Sequence, residues 1–261
     1  MKMKSKYTLA LLAAAGVLFI SASTLSANET DDRIESSAKN SYVFKTYLRQ
    51  DSIKTESKDG VVILTGTVAE ASHKDLAADT VENLPGVKNV DNQLVVKENA
   101  PTEKSDSWLI VKINTVLLFH RNVSAGDTKI YVDKGVVTLR GKASSLAQKE
   151  LTTEYALDVD GVISVVNEMQ VEKPSAQPAQ SAGEKIDDAS ITAQVKVALA
   201  AHRSTSAIKT NVQTMDGVVT VSGFVKNDAE KSLVGKLVGD VKGVTDVVNN
   251  LTIEVPAETS K

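Results

Sequence analysis

Apolar residues return at intervals of four in two stretches of the chain: Leu109, Ile113 and Leu117, then Ile191, Val195 and Leu199. That interval marks one face of a helix. Ile34, Ala38 and Tyr42 repeat it weakly inside the polar run ESSAKNS, and Phe44 and Leu48 suggest that this helix runs longer. After each stretch the period changes. DGVVILTG (59–66), KGVVTLRG (134–141) and DGVVTVSG (216–223) each place a turn dipeptide before a Val-rich run closed by glycine. Gly60, Gly135 and Gly217 supply the positive φ of a tight hairpin turn, and the run that follows reads as a buried strand. A second helical face comes next: Ala77, Val81 and Leu84; Thr152, Ala156 and Val159; Val234, Val238 and Val241. Gly86, Gly161 and Gly243 close it as C-terminal caps. A last strand carries Val90, Leu94 and Val96; Val165, Met169 and Val171; or Val247, Leu251 and Ile253.

The spacings repeat. Gly60 and Gly86, Gly135 and Gly161, and Gly217 and Gly243 are separated by one constant interval. A second constant interval separates each hairpin glycine from an acid ahead of it, Asp31, Asp106 or Asp188. Such self-similarity means a repeated supersecondary unit. The acids are expected to cap the first helix of each unit. Each unit reads helix–strand–strand–helix–strand, an α+β fold of three tandem αββαβ domains. Each domain is a small mixed sheet with two helices on one face. Units of about 70 residues are marginal alone, so mutual packing or a partner should help them.

Lys2, Lys4 and Lys6, the apolar run Leu9–Ile20 and the small residues to Ala27 have the order of a secretory signal peptide cleaved after Ala27. The expected organisation is therefore a signal peptide over 1–27 and a first domain over 28–97. A linker over 98–104 and a second domain over 105–172 follow. A flexible linker rich in Pro, Ala, Ser and Gln covers 173–185, a third domain 186–256 and a tail 257–261. The chain contains no cysteine, which leaves packing alone to hold an exported fold together. An export signal without an anchor points to the bacterial periplasm. Aromatic residues are 4% of the chain, so the core must be aliphatic. Removing 1–27 takes three lysines and no acid, making the remainder more acidic than the whole chain at −3. That balance argues against nucleic acid as a partner.

Catalytic inventories come up empty: there is no Gly-x-Ser-x-Gly elbow, no phosphate loop and no recurring acid pair. His120 and His202 share a template position ahead of the hairpin glycine, and Lys45 stands there in unit one. They suggest either a site at the end of the first helix or, preferably, a cation favoured by the helix dipole. One histidine per unit is no zinc signature, so no metal and no cofactor are expected. Asn92, Asn167 and Asn249 suit a ligand or, preferably, a local turn or bulge. Val62 and Leu64 should face the helices, leaving Val61 and Ile63 on the opposite face with Val136, Thr138, Val218 and Thr220. That face is the candidate partner surface, for packing between units or for another molecule.

DGVVTVSGFV followed by VKGVTDVVNNLTI, behind DDASITAQVKVALAAH, resembles a BON domain, and all three units carry the pattern. With the leader, the whole is similar to the periplasmic, osmotically inducible OsmY-type proteins, with three domains where two are usual. The resemblance implies an αββαβ fold, no enzymatic activity and a role at the bacterial envelope. It also implies contact with phospholipid or exported client proteins in a chaperone-like, osmotic-stress role. The alternative is a structural adaptor docking on an envelope protein complex. No site residues transfer from the family.

Overall fold

The computed structural model describes residues 18–98, 101–172, 185–205 and 208–254, with side chains from residue 29 onward. The expected flexible linker at 173–185, save its last residue, and the tail at 257–261 lie outside the described residues, as do Lys2, Lys4 and Lys6 of the leader. Unit one comprises helices α1 (Leu18–Asn40) and α2 (Tyr42–Thr46), strands β1 (Ser52–Lys58) and β2 (Val61–Val68), helix α3 (Ala71–Glu82) and short strands β3 (Asn89–Asn92) and β4 (Val95–Val96). Unit two repeats this as α4 (Asp106–Phe119), β5 (Thr128–Asp133), β6 (Val136–Ala143), α5 (Leu146–Leu157), β7 (Ser164–Asn167) and β8 (Gln170–Val171). Unit three is α6 (Asp188–Ala201), β9 (Thr210–Met215), β10 (Val218–Val225), α7 (Asp228–Asp240) and β11 (Asp246–Ile253). The Val-rich strand is the centre of every sheet. It pairs antiparallel with the strand before it and parallel with the strand after the second helix.

The hairpins close with two-residue turns in which both positions have positive φ: 53° and 82° at Asp59 and Gly60, 51° and 78° at Lys134 and Gly135, 51° and 79° at Asp216 and Gly217. That is the type I′ geometry, whose twist matches the strands it joins. The fixed acid of each unit explains itself here. Asp106 accepts from the N–H groups of Lys134 and Gly135 at 2.8 and 3.0 Å, and Asp188 from those of Asp216 and Gly217 at 2.8 Å each. Asp31 adds the Ser57 hydroxyl to the same pair of amides, and these bonds hold its carboxyl below the usual range. The acids are therefore turn clamps and not helix caps. The caps of α4 and α6 are the preceding residues, Ser105 and Asp187.

Other expectations shift too. Gly66, Gly141 and Gly223 do not stop the central strand, which runs on to Val68, Ala143 and Val225. A side chain at Gly66 would overlap the Ser52 carbonyl of the paired strand, so glycine lets two backbones close together. The second glycines lie in the turn beyond α3, α5 and α7, two or three residues past the cap, and are not the caps themselves. In unit one the first helix breaks at Ser41, whose hydroxyl caps α2. The register slips there, so Val43 and Leu48 are buried in place of Tyr42. Val171 is exposed where its counterparts are half-buried. The three asparagines behave as one device. Each donates to a carbonyl of the second helix (Lys74, Lys149 or Lys231, at 2.8–3.0 Å) and accepts from the N–H two residues on.

The inner faces follow the helical and strand periods: Val62, Leu64, Val137, Leu139, Val219 and Val221 are fully buried. The three sheets remain separate, but the buried apolar residues form one continuous cluster through all three units. The reason is α6. Eleven of its fourteen residues are buried, which an amphipathic surface helix never shows. Its own sheet covers one side, α3 of unit one a second and α4 of unit two a third.

Candidate binding faces and a buried histidine pair

Each central strand turns the side opposite its buried face partly to solvent. Val61 and Val136 are 40% and 38% exposed, and Ile63, Thr138, Val218 and Thr220 are half-buried. Neighbours on the same faces widen them. In unit two, Tyr131 pairs with Thr138 and lies under the Arg140 guanidinium, with Val166 beside them. In unit three, Met215, Phe224 and Val248 are 75%, 61% and 40% exposed, among the neutral Gln213, Thr220, Ser222 and Asn250. Unit one surrounds Val61 and Ile63 with Lys58, Glu56 and Asp91. The same fold thus offers one charged, one mixed and one mostly uncharged outer face. The helix α1 runs unbroken through Ala27, the expected cleavage position.

The matching histidines are neither exposed nor isolated. Both are fully buried where units two and three meet. α4 and α6 each end at a histidine in extended backbone, and each such end pairs with the end of the other unit's second helix. His120 bridges Val241 and His202 bridges Val159, both antiparallel. Arg121 N–H donates to the Asp240 carbonyl at 2.9 Å, and Arg203 N–H to that of Asp158 at 2.7 Å. The exchange is nearly two-fold. At its centre the two Nε2 atoms are 3.0 Å apart. His202 Nδ1 lies 3.0 Å from Asp158, and His120 Nδ1 3.3 Å from Asp240.

The surroundings are not symmetric. Tyr155 stacks on His120 with centroids 4.2 Å apart and donates its hydroxyl to Asp240, where Leu237 holds the corresponding place in unit three. Asn122 donates to the other oxygen of Asp240. Burial pushes the Tyr155 phenol far above its ordinary range. Burial also drives His120 below the usual imidazole range, against the pull of Asp240. At Asp158, burial is outweighed by bonds from His202 and Ser204, which hold the carboxyl low. The dipole reading of the histidines fails because these helix ends dock against another unit instead of facing water. Asp158 and Asp240, the other half of the arrangement, were missed. Both stand three residues before the second glycine, a repeat visible in the sequence, but unit one has Asn83 there. Among the described residues no group of three or more His, Cys, Asp or Glu is placed to hold a metal ion.

A family model described as the BON domain matches residues 30–98, 105–173 and 187–255. Osmotically-inducible protein Y of Escherichia coli K12 is 32% identical over 191 residues, spanning 73% of this chain and 92% of that protein. Outer membrane lipoprotein DolP of Haemophilus influenzae is 26% identical over 139 residues, 52% of this chain and 72% of that one. Among solved structures, the C-terminal domain of CdsD, a structural protein of the Chlamydia trachomatis type III secretion system, overlays on 82% of this chain and 96% of its own. The TM-score is 0.21 at 17% identity.

Proposed function

The chain belongs to the BON domain family, and from that premise we propose that it is a non-enzymatic protein of the bacterial envelope stress response. It contacts phospholipid or exported client proteins in the periplasm through the outer faces of its sheets. One observation carries this reading: three copies of a sheet face that keeps apolar side chains exposed although the helices and the inter-unit packing bury most of the others. The relatives support it, one being osmotically inducible by name and another an outer membrane lipoprotein. Among the described residues no helix is long and apolar enough to cross a membrane. Export would be accompanied by cleavage after Ala27, and N-terminal sequencing of the periplasmic product should begin at Asn28. A product starting elsewhere moves the boundary, and retention of the leader removes it.

Vesicle co-sedimentation and suppression of client aggregation test the binding reading. Met215→Ser with Phe224→Ser should lower one of these activities more than Val61→Ser does, because unit three has the least charged face. Neither activity in the full chain, or equal loss in both variants, counts against it. A second reading has its own observation. The three units pack into one body instead of standing as separate modules, and so present a fixed array. That suits an adaptor on an envelope complex, which crosslinking would show as one stoichiometric partner.

A further inference from the structure

Asp240, His120, His202 and Asp158 form a row between units two and three, with the two Nε2 atoms 3.0 Å apart at its middle. Two ring nitrogens at that distance share a hydrogen bond only when one carries a proton and the other does not. The ends of the row constrain the count. His202 Nδ1, 3.0 Å from an Asp158 oxygen, is the protonated nitrogen of its ring. Neutral His202 therefore presents a bare Nε2, and His120 supplies the Nε2–H. A first added proton can enter at His120 Nδ1, which is 3.3 Å from Asp240 and has no aligned hydrogen bond. A second has no seat. It would place two N–H groups head to head at 3.0 Å, inside a contact where neither ring has exposed surface.

The other charged groups facing the pair do not relieve this. Tyr155, on α5, donates to Asp240. Lys242, beyond α7, lies near His120 and adds positive potential. The Arg121 guanidinium is held by the carbonyls of Gly239, Val241 and Val244, and that of Arg203 by Leu157. Glu154 and Lys236 line the groove outside His202.

We infer that the docking of unit three onto unit two is a proton-counting latch, closed while the Nε2 pair holds one proton and opened by acid that supplies the second. Apart, each ring faces water and is free to take its own proton in mild acid. The open form then binds at least one proton more than the closed form, so the docking equilibrium falls about tenfold for each pH unit below roughly 6. Opening widens the groove of about 550 Å³ now bounded by Leu151, Leu157, Leu233 and Leu237, exposing apolar surface in acid. Unit one is outside the device, having Lys45 and Asn83 at the matching positions.

Small-angle scattering of the full chain from pH 8 to pH 5 tests the latch. The radius of gyration should rise reversibly while far-ultraviolet circular dichroism stays constant. His202→Gln and His120→Gln should each flatten the response. His73→Gln, which removes a histidine paired with Asp51 and Glu70 in unit one, should keep it. If the interface variants are already open at pH 8, nitrogen-15 NMR of the wild-type histidines decides. At most one cationic ring of the pair in the compact form supports the latch. Two cationic rings in a compact molecule overturn it, as does a radius of gyration that acid leaves unchanged.

Discussion

Unit three makes two interfaces, and they are built on opposite principles. Toward unit one, α6 and its cap Asp187 meet α2 through hydrogen bonds to backbone amides and a tyrosine, and α3 through an ion pair at the rim. Asp187 accepts from Tyr42 N–H and the Ser190 hydroxyl from Val43 N–H, while Tyr47 donates to Gln194. Lys196 reaches Asp79 and Glu82 from a partly exposed position. Toward unit two, both histidines and Asp240 are buried at the centre, and only Asp158, at the end of the row, is partly exposed. Exposed ion pairs contribute little because solvent screens them, whereas a buried charge must be matched almost completely. The first interface should therefore tolerate changes of charge, and the second should register them.

The most severe way to break the comparison is to attack the helix both interfaces share. Val195 on α6 is fully buried, and Val195→Asp leaves a carboxylate among aliphatic groups. Several kcal/mol of destabilisation are expected, seen in chemical denaturation as loss of the folded baseline. Next is Tyr155→Phe, which keeps the ring against His120 but removes the bond to Asp240. Bonds to charged groups are worth about 1.5–3 kcal/mol, and the urea midpoint should fall accordingly. Loss confined to exchange protection at the interface with unit one would contradict the assignment.

Acid should separate the two interfaces. Asp158 is held low in the folded state, so its contribution is present above the unfolded carboxylate pKa and is lost as pH falls through the folded value. Asp79 runs the other way. Burial raises its pKa against the pull of Lys196, so its folded state gains in relative stability as pH drops through that value. Hydrogen exchange at pH 4 should show α5 and α7 deprotected before α3. The smallest effect belongs to Lys196→Met, where screening limits the loss to under about 1 kcal/mol. A thermal scan showing a larger change would mean that the rim charges matter more than their exposure suggests.

Much of the unit was legible because its signals are local. The turn dipeptides, the strand after them and both helical faces follow from backbone preference and side-chain period, and most of the buried positions named from them are buried. What misled was partnership at a distance. Asp106 looked like a cap because it begins a helix, yet its carboxylate serves the hairpin turn at Lys134 and Gly135. Tyr42 continued an even four-residue spacing, but Ser41 could cap a new helix and reset the register. His120 and His202 recurred at one position without showing that they meet each other.

By itself the sequence determined the repeated αββαβ unit, its hairpin turns and the inner face of each sheet, since these rest on interactions inside a single unit and on the removal of aliphatic groups from water. Only the tertiary structure decided that three units share one core around α6, and that two helix-end histidines face each other under opposing aspartates. Those outcomes depend on which surfaces of different units find each other, where complementarity of shape and proton count, and no local preference, selects the arrangement.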